Sequence, residues 1–161
     1  MNSANHQGPE FPDLRWNWFK LEQMKPVLLY DMLAMRESIF VVEQSCIYQE
    51  LDGLDKIAWH LLAIENEAVV ACLRLLPAHG QEVRVRIGRV AVSQAWRKQG
   101  MARLMMRKAV DKAQLVHPSC GVFLDAQTYL QGFYQSLGFQ ICGDEFLEDG
   151  IPHIPMQMQG S

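Results

Sequence analysis

Apolar positions recur at helical spacing early in the chain and at strand spacing through its middle. After a short apolar segment, Trp16 to Phe19, Pro26 stands where a helix tolerates a missing N–H, and Leu28, Met32, Met35 and Ile39 then repeat at intervals suited to one helical face. This predicts the first helix. Two β-type runs follow, WHLLAI and AVVACLRLL, joined by the polar Glu65, Asn66 and Glu67, so the sheet is expected to open as an antiparallel hairpin.

The run EVRVRIGRVAVS departs from simple alternation. Val83, Val85 and Ile87 occupy odd positions, whereas Val90 and Val92 occupy even ones. A strand cannot change its buried face without an extra residue, so the slip at Gly88 and Arg89 predicts a bulge that bends the strand and frees backbone groups. Met101 to about Val116 then reads as an amphipathic helix, with Leu104, Met105, Ala109 and Ala113 inward, Arg103, Arg107, Lys108, Asp111 and Lys112 mostly outward, and Pro118 marking its end. GVFLDA suits a buried strand, Leu130 to Leu137 a helix closed by Gly138, and FQICG and HIPMQM two last strands, with Pro155 placed where its missing N–H does no harm. Strand, helix, strand, helix in that order implies a right-handed crossover between parallel strands. The fold class expected is therefore α/β: one mixed central sheet with a bulged strand and helices on both faces.

Between the first helix and the hairpin, VVEQSCIYQELDGLDK mixes apolar residues with Glu43, Glu50, Asp52 and Asp55 around Gly53, and is expected to be a structured loop. The opening residues, MNSANHQGPEFPD, are polar and rich in proline and glycine. Residues 1–15 are expected to be a loose leader and 16–161 the domain, with the final Gly160 and Ser161 a loose tail.

At 161 residues and 49% hydrophobic, the chain suits one domain with a substantial core. A formal net charge of -3 argues against a general nucleic-acid binder, so any anion site must be local. Cys46, Cys72, Cys120 and Cys142 lack the paired spacing of a zinc or redox motif and read as reduced thiols of a cytoplasmic protein. No apolar run approaches the roughly 18 residues of a spanning helix, so no membrane partner is expected.

The stretch RKQGMARLMMRKAV concentrates the candidate chemistry. A glycine-bearing loop between a strand and a helix start aims unpaired N–H groups at one point, where the helix dipole adds partial positive charge; such a place binds phosphate, although the same residues also suit an ordinary helix start. Arg97, Lys98 and Arg103 would supply charge, and Gly100 and Ala102 would let an anion approach the backbone. The stretch fits neither the GxxxxGK[ST] of nucleoside triphosphate sites nor the GxGxxG of dinucleotide sites.

Arg97, Gly100 and Ala102 match [QR]-x-x-G-x-[GA], and YQSLGF, with Tyr134, Gly138 and Phe139, follows at a suitable distance. In both features the sequence resembles the GNAT superfamily of acetyl-CoA-dependent N-acyltransferases. FVVEQSCIYQELDGLD, IGRVAVS, DAQTYLQGFYQSLGF and EDGIPHIPM are similar to its ElaA-like branch. The resemblance runs from Trp16 to Met158. It departs from the common pattern at Ala102, where a second glycine is frequent, and at Asp125, where a small residue is frequent.

The resemblance implies acetyl transfer from acetyl-CoA, as co-substrate, to a primary amine of a small molecule or peptide by direct attack. The bulged strand at Val90, Ala91 and Val92 would pair with the pantetheine arm, and Arg97, Lys98, Gln99, Gly100, Met101, Ala102 and Arg103 would hold the diphosphate. Gln127 stands where many relatives have a cofactor-contacting asparagine. Tyr134 corresponds to the general acid that protonates the leaving thiolate. Candidate bases are Glu43, His60 and His153, and Glu43, Glu50 and Asp52 belong to the segment that lines the acceptor side. Glu43, Glu50, His60 and His153 include metal-ligating types but lack tight ligand spacing, and the chemistry needs no Lewis acid, so no metal is expected. A monomer or homodimer is expected. Two rival readings keep the architecture: an acyltransferase with a longer acyl donor, and a non-catalytic acyl-CoA-binding module.

Overall fold

The computed structural model describes residues 11–160. Residues 1–10 and Ser161, parts of the expected leader and tail, lie outside it. Of the expected leader, Phe11 meets Trp96 edge to face at 5.8 Å, Leu14 is buried, and Arg15 already begins the first strand.

Among the described residues, eight strands, β1 (Arg15–Phe19), β2 (Trp59–Glu65), β3 (Ala68–Leu76), β4 (Val85–Val92), β5 (Val122–Gln127), β6 (Gln140–Ile141), β7 (Phe146–Glu148) and β8 (Ile151–Met158), form one sheet. Its order is β1-β2-β3-β4-β5-β8-β6, with β7 pairing β8. Every pairing is antiparallel except β4 with β5. Helix α1 (Pro26–Glu37) packs over Leu62, Ile64, Cys72 and Ala91, while α2 (Met101–Val116) covers Leu61, Leu73, Leu75, Val85 and Ile87. Adjacent residues of β2 and β3 thus enter opposite layers, which is why both strands read as continuous apolar runs. On α2 the inward residues are Met101, Met105, Met106, Ala109 and Ala113; Leu104, expected inward, is only half-buried because Met101 and Met105 occupy the centre of that face.

The β2–β3 turn has Asn66 at φ 47° and Glu67 at φ 66°, both left-handed as a tight two-residue hairpin requires. The expected bulge lies in β4. Cys72 pairs with Ala91 and Arg74 with Gly88, so Leu73 alone opposes Arg89 and Val90, and Arg89 takes φ 52°. Strand β4 starts at Val85 rather than Val83, which is exposed. The parallel seam is short: β4 meets β5 only at Val85↔Val122 and Arg86↔Phe123. Beyond that seam the two strands diverge, and residues 87–92 have no β5 partner.

Strand β7 departs from the expected pattern of two final strands. Asp149 and Gly150, at φ 49° and 78°, turn β7 directly into β8. Pro155 lies in an interior strand, but the Cys142 N–H donates to its carbonyl at 2.9 Å, and the N and O of a strand residue face the same side. Its absent N–H therefore faces the interruption between β6 and β7. Helix α3 (Gln131–Gln135) is shorter than expected, because a 3-10 turn, Thr128–Leu130, precedes it, and Gly138 at φ 96° closes the segment. No helix among the described residues is long and apolar enough to cross a membrane.

Candidate active site

The divergence of β4 from β5 opens a cleft of about 720 Å³. Its wall on the α1 face of the sheet follows from strand alternation: Arg74 and Leu76 of β3, Arg86 and Gly88 of β4, Asp125 and Gln127 of β5, and His153 of β8 line it together. A Cβ on Gly88 would meet nothing within 4 Å, and its φ is not left-handed, so the missing side chain serves space rather than backbone conformation.

Val90, Ala91, Val92, Arg97, Gln127 and Tyr134 all line the cleft. Beyond Arg97, Lys98 and Gly100 take φ 61° and 86° and deliver the chain to the start of α2. The first helical bond of α2 runs from the Leu104 N–H to the Gly100 carbonyl at 3.1 Å, which leaves the N–H groups of Met101, Ala102 and Arg103 facing out of the helix. That cradle fits a diphosphate. Arg97 donates twice to Glu43, at 2.6 and 2.9 Å, and once from Nε to the Val92 carbonyl at 2.9 Å. The Arg97 hydrogen bonds hold the Glu43 carboxyl below the usual carboxylate range, which weakens it as a base while the pair is intact. Gln99 turns back to the Ala95 carbonyl, Arg103 donates to Ser136 Oγ at 2.8 Å, and Gln127 donates to Gln44 at 3.3 Å.

Tyr134 is buried between Phe133 and Phe139, with ring centroids at 5.0 and 6.2 Å. Burial, reinforced by nearby Tyr129, pushes its phenol up to about 12. It therefore keeps its proton at neutral pH, as a proton donor must.

His153 also lines the cleft, with Nδ1 2.7 Å from the Ile151 carbonyl and Nε2 3.5 Å from Glu148. His60 does not. It is 1% exposed, its Nε2 lies 3.0 Å from the Asp55 carbonyl, and burial depresses its pKa. This placement separates it from the role of base that the resemblance implies.

Similar sequences and the same fold recur in other proteins. The family model described as "Acetyltransferase (GNAT) domain" matches residues 30–159. The chain belongs to the GNAT acetyltransferase family. A UPF0039 protein of Schizosaccharomyces pombe is 43% identical over 133 residues, covering 81% of this chain and 87% of the relative. Protein ElaA of Escherichia coli is 38% identical over 145 residues, 89% of this chain and 95% of the relative; its crystal structure superposes with a TM-score of 0.85 over 91% and 99% of the two chains. The crystal structure of an acyl-CoA N-acyltransferase from Pseudomonas aeruginosa has the same TM-score at 40% identity, over 89% of this chain and 98% of that one. These place the protein in the ElaA-like branch of the GNAT superfamily.

Within this GNAT domain the acidic segment does something the sequence did not disclose. Glu50 Oε1 accepts from Arg36 and Arg89, each at 2.7 Å, and Asp55 accepts from Arg36 at 2.7 and 3.2 Å. Asp52 accepts twice from Arg74 at 2.8 Å. Burial alone would raise the Asp52 carboxyl, but Arg74, the Leu54 N–H and Arg89 outweigh it and hold the group at about 2. The expected negative lining is thus neutralised: Glu50 is buried outside the cleft, and Asp52 reaches it already paired. Two of the three arginines had a sequence signal. Arg36 follows Met32 by one turn on the inward face of the first helix, and Arg74 interrupts an apolar strand.

Proposed function

We propose that the protein transfers the acetyl group of acetyl-CoA to a primary amine of a small molecule or peptide by direct attack, with Tyr134 as general acid. The observation that carries this reading is the coincidence, in one cleft, of a diverged β4 edge, a protonated buried tyrosine and an adjoining helix start with free N–H groups. Residues 90–92 offer backbone groups to the pantetheine amides, and the Arg97–Arg103 loop receives the diphosphate. The thioester then lies beside Gly88 and Tyr134. A neutral amine attacks its carbonyl carbon, and the phenol protonates the departing sulfur.

Isothermal titration with acetyl-CoA, with ATP and NAD as controls, tests the cofactor assignment: selective binding of acetyl-CoA is expected, and no binding would overturn it. Tyr134→Phe should lower kcat by roughly 100-fold while leaving the CoA affinity nearly unchanged, as expected of a group that acts on the leaving thiolate.

A further inference from the structure

The cleft is lined by six carboxylates, and four of them are matched to arginines: Glu43 to Arg97, Asp52 to Arg74 and Arg89, Glu82 to Arg84, and Asp125 to Arg86. Glu148 and Asp149, at the β7–β8 turn, have no arginine partner among the described residues. Beside them stands His153, 8% exposed, its ring stacked on Phe146 with centroids 5.9 Å apart and its backbone paired with Gln127. A carbonyl oxygen only accepts hydrogen bonds, so the 2.7 Å contact with Ile151 places a hydrogen on Nδ1. In the neutral ring the lone pair is therefore on Nε2. Nε2 makes no hydrogen bond among the described residues and faces Glu148 Oε2 across 3.5 Å. Two acceptors at that separation repel one another unless a hydrogen lies between them, either on the ring itself or on a cation that donates to both.

We infer that His153 is the general base of the reaction and that Glu148 is the positioning residue that holds the acceptor's ammonium against Nε2. This rests on the acyl-transfer reading above and narrows the acceptor to an amine that arrives charged. An ammonium carries three hydrogens, enough to donate to Nε2 and to Glu148 at once. Nε2 takes one proton and leaves the nitrogen with a free electron pair. That pair forms the N–C bond as the C–S bond breaks. The nitrogen loses its second proton to solvent, Tyr134 gives its proton to the thiolate, and the tyrosinate takes a replacement from solvent. Ammonium and thioester become amide, thiol and one proton, which His153 passes to solvent.

Nitrogen NMR of the ¹⁵N-histidine-labelled full chain, titrated with n-butylammonium chloride, tests the pair. The His153 ring should be in the Nδ1–H form, its Nε2 resonance should move on titration, and that movement should be lost in Glu148→Gln. With acetyl-CoA and n-butylamine, thiol release should show kcat lowered by about 100-fold in His153→Gln at unchanged calorimetric CoA affinity, and in Glu148→Gln a KM for the amine raised more than kcat is lowered. An Nε2–H tautomer, an undiminished probe shift in Glu148→Gln, or full turnover in His153→Gln would overturn the assignment. A protein that shows the NMR behaviour but fails to bind acetyl-CoA would retain the amine site and lose the acyl-transfer reading.

Discussion

Arg97 carries two competing obligations. Its guanidinium is closed on Glu43 by two hydrogen bonds and anchored to the Val92 carbonyl, yet it begins the loop that a diphosphate would occupy. Glu43 therefore presents an anion where another anion must arrive. Glu43→Gln should strengthen CoA binding roughly threefold, a modest gain because half-exposed ion pairs contribute little; calorimetry of the folded variant checks it, and unchanged or weaker binding would show that Arg97 is not released to the cofactor. The pairing itself was not legible in the sequence. Glu43 and Arg97 are 54 positions apart, and only the fold brings the π-helical segment Ser38–Glu43, which continues α1, to the loop after β4.

At the scale of elements, local chemistry was most readable where backbone conformation and burial agree. The slip in alternation at Gly88 and Arg89 located the bulge, because a continuous strand changes its inward face only by accommodating an extra residue. The bounds of α2 followed from its stripe of methionine and alanine. Strand β7 escaped because its three residues are all exposed and carry no apolar alternation, although Asp149–Gly150 is itself a hairpin signal. Turn chemistry also makes a prediction at the other hairpin. Glu67 holds φ 66° without the local hydrogen bonding that lets asparagine tolerate that region, and its ion pair with Arg15 is exposed. Glu67→Gly should raise stability by about 0.5 kcal/mol, the relief of a left-handed side chain less a weak surface pair; a denaturant midpoint at or below that of the wild type would contradict it.

For the molecule as a whole, the ion network makes stability depend on pH. Arg36 from α1, Arg74 from β3 and Arg89 from the bulge fasten the segment from Glu50 to Asp55 over the sheet, with His60 beneath it. Asp52 is held at about 2 against an ordinary 3.8, so its contribution is complete above 3.8 and is lost as pH falls through about 2. His60 is depressed below its ordinary 6.5, chiefly by burial, so the stability linked to its neutral form is complete above 6.5 and declines as pH falls below it. Calorimetric melts from pH 8 to pH 2 should show Tm falling in these two stages, and His60→Gln should flatten the first. The site as a whole was half legible: the cofactor loop and Tyr134 form contiguous motifs, whereas the acceptor side is assembled from four distant strands and a hairpin. The two halves of the sheet are stitched by just two rungs, at Val85 and Arg86, so the free protein is a seam held at one end. A pantetheine arm laid along residues 87–92 would act as a removable strand, and the same molecule should be mechanically soft or stiff according to its load. Amide exchange in the outer half of β4 should slow by an order of magnitude or more with CoA bound, while exchange in β1 stays as it was.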